Sequence, residues 1–175
     1  MKLPNRQTIR MPGFEYLSGA FFVTIATHER EPLLGVLHEG TVRHSVAGEI
    51  VQGGWQQLPM HFKAVHLDAF VIMPDHLHGI VFILNDALEV PSPTPRTAHG
   101  VTRGSLAAVV QSFKSQTTRK IRLTLADSGL PAVAKPIWQR NYYEHVIRDQ
   151  ADLDRVRKYI DTNVARAWLR MTGHA

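Results

Sequence analysis

The residues best placed to do chemistry in this 175-residue chain are His76 and His78. They lie in the run Met73-Pro74-Asp75-His76-Leu77-His78-Gly79, at the join between two apolar, strand-like stretches. Side chains at i and i+2 of a strand share a face, so the two imidazoles can each offer a nitrogen to one cation. Two ligands do not hold a catalytic ion, so a third donor and a reacting group must come from elsewhere. The best candidates lie in Arg155-Val156-Arg157-Lys158-Tyr159-Ile160-Asp161-Thr162-Asn163. There Tyr159 and Asn163 are four apart in a helical pattern and project from one side, a turn apart. Packed across the histidine strand, such a helix brings a carboxamide oxygen and a phenol to the ion, a nucleophile beside a Lewis acid. Taken singly, each feature has an ordinary explanation. A His-x-His pair arises by chance, and a tyrosine on an amphipathic helix is commonly half-buried packing with a wet hydroxyl.

The elements that must position these groups follow from periodicity. Phe21 to Thr27, aromatic and β-branched, reads as a strand. From Thr41 to Leu58 the spacing of Val42, Val46, Ile50 and Leu58 predicts a helix, weakened by Gly48, Gly53 and Gly54. Val65 to Met73 and His76 to Leu84 read as two strands joined by a tight Pro74-Asp75 turn, so the histidine pair opens the second arm. Pro91, Pro93 and Pro95 predict a flexible loop over about 85–104. A helix from Ser105 to Leu125 follows, with Leu106, Val109, Val110, Phe113, Thr117 and Ile121 on one face, Ser105 as N-cap and Ser128-Gly129-Leu130-Pro131 as its stop. Tyr142 to Ile147 can form a strand, and a last helix spans Ala151 to Leu169 with Asp149 as its cap. The first six elements give the βαββαβ order of a ferredoxin-like antiparallel sheet, an α+β fold, with an additional C-terminal helix carrying Tyr159. No internal repeat is present, and residues 1–175 read as a single domain.

Composition narrows the function classes. There is no cysteine, which excludes disulfides, thiolate metal sites and a thiol nucleophile. The longest apolar run, Leu67 to Leu84, is interrupted by Asp68, Asp75 and the two histidines, so it is not a membrane span. Met1 to Arg6 lacks the apolar core of a signal peptide. The expectation is a cytoplasmic protein with no membrane partner. The net charge of +5 is unevenly spread: Arg103 to Arg170 holds 13 Lys or Arg against 6 Asp or Glu. A basic half around the proposed nucleophile suits a polyanionic substrate.

His76-Leu77-His78, then Trp138-Gln139-Arg140-Asn141-Tyr142-Tyr143-Glu144-His145-Val146-Ile147-Arg148, then Tyr159-Ile160-Asp161-Thr162-Asn163 together resemble the single-tyrosine HUH transposases. The branch they resemble is the REP-associated tyrosine transposases. The similarity runs from about Phe21 to about Trp168 and includes Ser112-Phe113-Lys114-Ser115. It implies that His76 and His78 are the paired metal ligands, Asn163 the third and Tyr159 the nucleophile, with Mg2+ or Mn2+ as cofactor. It further implies single-stranded or hairpin DNA as the partner of a monomer or homodimer. Lys114, Arg119, Gln139, Arg140, Arg148 and His145 are candidate DNA contacts, and Trp138, Tyr142 and Tyr143 candidate stacking rings. Asp75 is either an acceptor that orients His76 or a simple turn former. Where the family usually continues Asn-Pro, this chain has Asn163-Val164, so the helix is expected to continue.

The chemistry so implied is attack by the Tyr159 phenol, a group with an ordinary pKa of about 10, on a DNA phosphate, leaving a 5′-phosphotyrosine and a free 3′-hydroxyl. Three rivals stand beside it. A histidine-triad hydrolase would need a third histidine where Ile80 stands. A cupin-like or non-haem iron site would need a third histidine or carboxylate and more strands. A domesticated, non-cleaving binder of hairpin DNA would use the same fold.

Overall fold

The computed structural model describes residues 18–84, 101–129 and 135–173. Most of the loop expected over about 85–104 lies outside the described residues, as do Met1 to Arg6 and the Leu130-Pro131 end of the expected helix stop. Along the chain come β1 (Gly19–Ala26), β2 (Gly35–His38), β3 (Thr41–His44), α1 (Val46–Gln56), α2 (Leu58–His61), β4 (Val65–Met73), β5 (His76–Ile83), α3 (Leu106–Asp127), β6 (Tyr143–Ile147), α4 (Gln150–Asp161) and α5 (Asn163–Thr172). Four strands form one antiparallel sheet in the order β4-β5-β1-β6, the ferredoxin-like arrangement within an α+β fold. β2 and β3 pair with each other as a separate hairpin.

β1 is apolar on both sides because it is central and covered twice. Phe21, Val23 and Ile25 pack with Val51 and Trp55 of α1 and Val109 and Phe113 of α3. Phe22, on the opposite face, joins Ile80, Ile147 and the α4 residues Leu153, Val156 and Ile160. The 3- and 4-residue steps of that last trio make one stripe. Burying each contributes about 1.5–3 kcal/mol, which lays α4 across the face that α1 and α3 leave open.

The segment Thr41 to Leu58 is not one helix. Thr41–His44 is a strand of the β2–β3 hairpin, turned by Glu39 (φ 47°) and Gly40 (φ 72°), both left-handed as a two-residue hairpin turn requires. α1 starts only at Val46, where the Ser45 hydroxyl accepts from the Gly48 N–H at 3.1 Å. It then runs through all three glycines, because packing against α3 outweighs their low propensity. The C-terminal helix also differs from the continuous one expected from Ala151 to Leu169. A single residue, Thr162 (φ −90°, ψ −1°), separates α4 from α5, so Tyr159 and Asn163 belong to successive helices. Helical structure nonetheless continues through Val164, as the absence of proline there predicts. Among the described residues no helix is long and apolar enough to cross a membrane.

Candidate active site

β4 and β5 are joined by a two-residue turn at Pro74-Asp75, and both turn carbonyls are tied down. Pro74 O accepts from Leu34 N at 2.8 Å, and Asp75 O accepts from Thr27 N and Thr27 Oγ1, each at 2.9 Å. With the turn fixed, β5 registers His78 between Val71 of β4 and Thr24 of β1, and His76 between Met73 and Ala26. Both imidazoles therefore face α4, and their Nε2 atoms lie 3.0 Å apart.

Each ring is held from its other nitrogen. His76 Nδ1 is 2.5 Å from Asp75 Oδ1. A carboxylate only accepts, so Nδ1 carries the proton and, in the neutral ring, Nε2 presents its lone pair. Asp75 is thus an orienting acceptor as well as a turn residue. Burial works against its charge, but the hydrogen bond from His76 and the positive charges of His76 and Arg30 prevail and hold its carboxyl below the ordinary range. His78 Nδ1 is 2.8 Å from Thr24 Oγ1, a hydroxyl that can donate or accept and so satisfies either tautomer. Burial first, then the charges of His76 and Arg30, push the His78 pKa down to about 3, so the ring is neutral at physiological pH.

Arg30 completes this support, with Nε 3.0 Å from Asp75 Oδ2. It sits in a loop where Glu29 (φ 52°) and Arg30 (φ 59°) are both left-handed, a conformation non-glycine residues hold only under outside constraint. The constraint is visible: Thr27 Oγ1 reaches Glu31 O at 2.7 Å, and Lys135 spans Glu29 at 3.2 Å and Glu31 at 2.9 Å.

α4 brings the phenol. Tyr159 Oη is 3.3 Å from His78 Nε2. Phe22 stacks on His78 (centroids 5.3 Å apart) and meets Tyr159 edge-on at 5.9 Å, so one buried ring spaces both. Two polar clamps pin α4 to the sheet edges. On β4, Asp68 and Ala69 together oppose Ile80, a bulge that turns both toward α4. Asp68 then takes the Arg157 guanidinium through two bonds, Nε to Oδ1 at 2.9 Å and Nη2 to Oδ2 at 2.6 Å. At the β6 edge, His145 Nε2 meets buried Asp152 at 2.8 Å, and Asp152 also takes Arg155.

The donor set fits a divalent cation. Two nitrogens about 2.1 Å from one ion and at right angles lie about 3 Å apart, which is the spacing of the two Nε2 atoms. The Asp75–His76 pair supplies the outer acceptor that metal-bound histidines ordinarily have. Among the described residues no group of three or more His, Cys, Asp or Glu could hold a metal. The third ligand that the resemblance implies, Asn163, is a neutral oxygen donor outside that set of residue types. Asn163 is buried at the start of α5 but makes none of the contacts that join His76, His78 and Tyr159.

The candidate DNA contacts are divided between faces. Lys114, Arg119, Gln139 and Arg140 line a 640 Å³ groove between α3 and the segment before β6, on the helix-layer side. Lys114 is committed there to the carbonyls of Gln139, Arg140 and Asn141, while Arg119 and Arg140 are exposed. His145 lies toward α4 in its bond with Asp152, and Arg148 is exposed just beyond β6. Groove and histidine pair meet at one end of β1, where Gln139 N donates to Ala26 O and Ala26 pairs with His76. Sequence reasoning passed over Thr24, Arg30, Asp68 and Arg157. Only Thr24, a hydroxyl set between Val23 and Ile25 in the first strand, carried a signal that could have found it.

No family model matches this chain. It is 32% identical over 165 residues to an uncharacterized protein of Haemophilus influenzae, covering 91% of this chain and 88% of that one. The two belong to one family. Among solved structures, a REP-associated tyrosine transposase bound to a REP hairpin superposes with a TM-score of 0.55 at 19% identity, over 95% of this chain and 74% of that one. At that identity the likeness establishes the fold, a transposase-like one.

Proposed function

We propose that this protein nicks and rejoins single-stranded DNA through a 5′-phosphotyrosine on Tyr159, as a transposase-like enzyme acting on hairpin or palindromic DNA. The observation that carries the reading is the convergence of two distant parts of the chain: Tyr159 Oη on α4 lies 3.3 Å from His78 Nε2 on β5, itself 3.0 Å from His76 Nε2. A Mg2+ or Mn2+ ion held by His76, His78 and Asn163 would supply the Lewis acidity that neutralises a non-bridging phosphate oxygen.

The remaining roles fall to the chain's own side chains. Tyr159 Oη forms the new bond to phosphorus while the bond to the 3′-oxygen breaks. The phenolic proton leaves to solvent, to which this residue is 38% exposed, and the departing 3′-oxygen takes one up. Thr24 and Asp75 fix the imidazoles, Phe22 holds ring and phenol at their spacing, and Arg157 on Asp68 keeps α4 seated. The phosphodiester energy is retained in the phosphotyrosine, so attack by another 3′-hydroxyl reverses the step and joins new ends without ATP. A paired stem leaving the site past the end of β1 meets exposed Arg119 and Arg140, which would take its phosphates. The protein would act as a monomer or homodimer.

The test is a denaturing gel after incubation with labelled single-stranded hairpin DNA and Mn2+. Wild type should give a covalent adduct, and Tyr159→Phe and His76→Ala none. Tight binding without any adduct from wild type, in Mn2+ or Mg2+, would favour a non-cleaving DNA-binding protein on this fold.

A further inference from the structure

We infer that Tyr143 is a stacking platform for the nucleobase beside the phosphate that Tyr159 attacks, a role that rests on the nicking reading above. The sheet register puts Val71, His78, Thr24 and Tyr143 in one row across β4, β5, β1 and β6. Neighbours in such a row share a face, so Tyr143 stands on the α4 side with the histidine pair. It lies two strand spacings, about 10 Å, from His78, a span that roughly one or two nucleotides of an unstacked strand bridge. The residue between them is small, and its hydroxyl is turned to His78 Nδ1. Phe22 ties the two phenols together, meeting Tyr143 at 6.4 Å and 70° and Tyr159 at 5.9 Å and 89°.

The other two rings of the same segment are already occupied. Trp138 is buried against Phe113 and donates its indole N–H to Thr117 Oγ1 at 3.0 Å. Tyr142 packs against the helix-side core, with the Lys114 ammonium 5.6 Å from its ring centre. Tyr143 instead leaves 46% of its surface open on the site face. An exposed ring on a rigid strand beside a phosphate site is what sequence-tolerant single-strand binding uses, since every base has a π-face.

The test measures fluorescence anisotropy of a labelled oligothymidylate and of a fully abasic oligonucleotide of equal length, in a non-cleaving Tyr159→Phe background. Replacing Tyr143 by Ala should weaken thymidylate binding about 5- to 100-fold, with the salt slope unchanged and abasic binding unaffected. Tyr143→Phe should retain wild-type affinity. Tyr143→Thr, which keeps strand propensity, should repeat the loss if the alanine variant unfolds. Equal losses on both oligonucleotides, or none on either, would overturn the inference. Adduct formation by the Tyr159 protein is scored separately: a Tyr143 effect without any adduct defeats the nicking reading alone, and an adduct without a Tyr143 effect defeats this inference alone.

Discussion

Gly79, next to the second histidine, faces the helix layer while His78 faces α4, and replacing it by alanine should damage the fold from behind the site. A Cβ there would lie 2.4 Å from Trp55 Cζ2, 2.9 Å from Cε2 and 3.1 Å from Cη2. Ordinary contact begins near 3.4 Å, so ring or strand must yield about 1 Å. Trp55 cannot retreat freely: it is 1% exposed, edge-on to Phe113 at 5.4 Å and beside Phe70 at 6.4 Å. Its indole N–H has no partner among the described residues, so its position is set by packing. Overpacking of this kind costs about 1–3 kcal/mol, or about 2–12 °C in Tm for a chain of this size. Urea melts of the Gly79→Ala protein should therefore give a lower midpoint with an unchanged m-value. Trp55→Phe should itself destabilise but relieve the clash, so the double variant should be more stable than additivity predicts by about 0.5–3 kcal/mol. A Gly79→Ala protein as stable as wild type, or strictly additive variants, would refute the close-approach argument.

Further outcomes follow from the site. Thr24→Val removes the hydrogen bond to His78 Nδ1 and should weaken Mn2+ binding about 10- to 100-fold in a calorimetric titration; unchanged affinity would leave Thr24 without a positioning role. Tyr159→Phe deletes a hydroxyl at a 38% exposed position and should shift stability by less than about 0.5 kcal/mol while abolishing the adduct. Asp68 is held below its ordinary carboxyl range, first by the hydrogen bond from Arg157, against a smaller opposing effect of burial. A depressed folded-state value means that its stabilisation is complete above the unfolded value of 3.8 and is lost as pH falls below it. The stability difference between wild type and Asp68→Asn should thus shrink below about pH 4, and a difference that grows with acid would contradict the sign.

Much of the frame was legible because its signals are local. Val65 to Met73 and the strand from His76 are where alternation and β-branched content place them. Ser105 and Asp149 cap α3 and α4 through bonds to Ala108 N and Asp152 N, as side-chain acceptors ahead of apolar stripes should. The β2–β3 hairpin was hidden because Val42, Val46 and Ile50 fall by coincidence at four-residue steps. Its turn also places Glu39 where asparagine or aspartate is the usual signal. The Thr162 break carries no proline or glycine to announce it. At the site, the i, i+2 histidines and the approach of Tyr159 to them were readable, whereas the Thr162 break that puts Asn163 on a separate helix was not. What was not readable is long-range: the Asp68 bulge, the Arg157 clamp and the Arg30 loop acquire meaning only once β4, α4 and the turn before β2 are brought together. The division of the basic residues between two faces was likewise invisible, because charge patterning along a chain does not say which layer a helix joins.

Tyr159 is the residue that should become bonded to DNA. Peptide-level mass spectrometry of wild-type protein, digested after reaction with single-stranded hairpin DNA and Mn2+, should find a 5′-phosphate-linked nucleotide on Tyr159 alone. The linkage on Tyr142 or Tyr143, or no linked peptide under conditions where the DNA is cut, would contradict it.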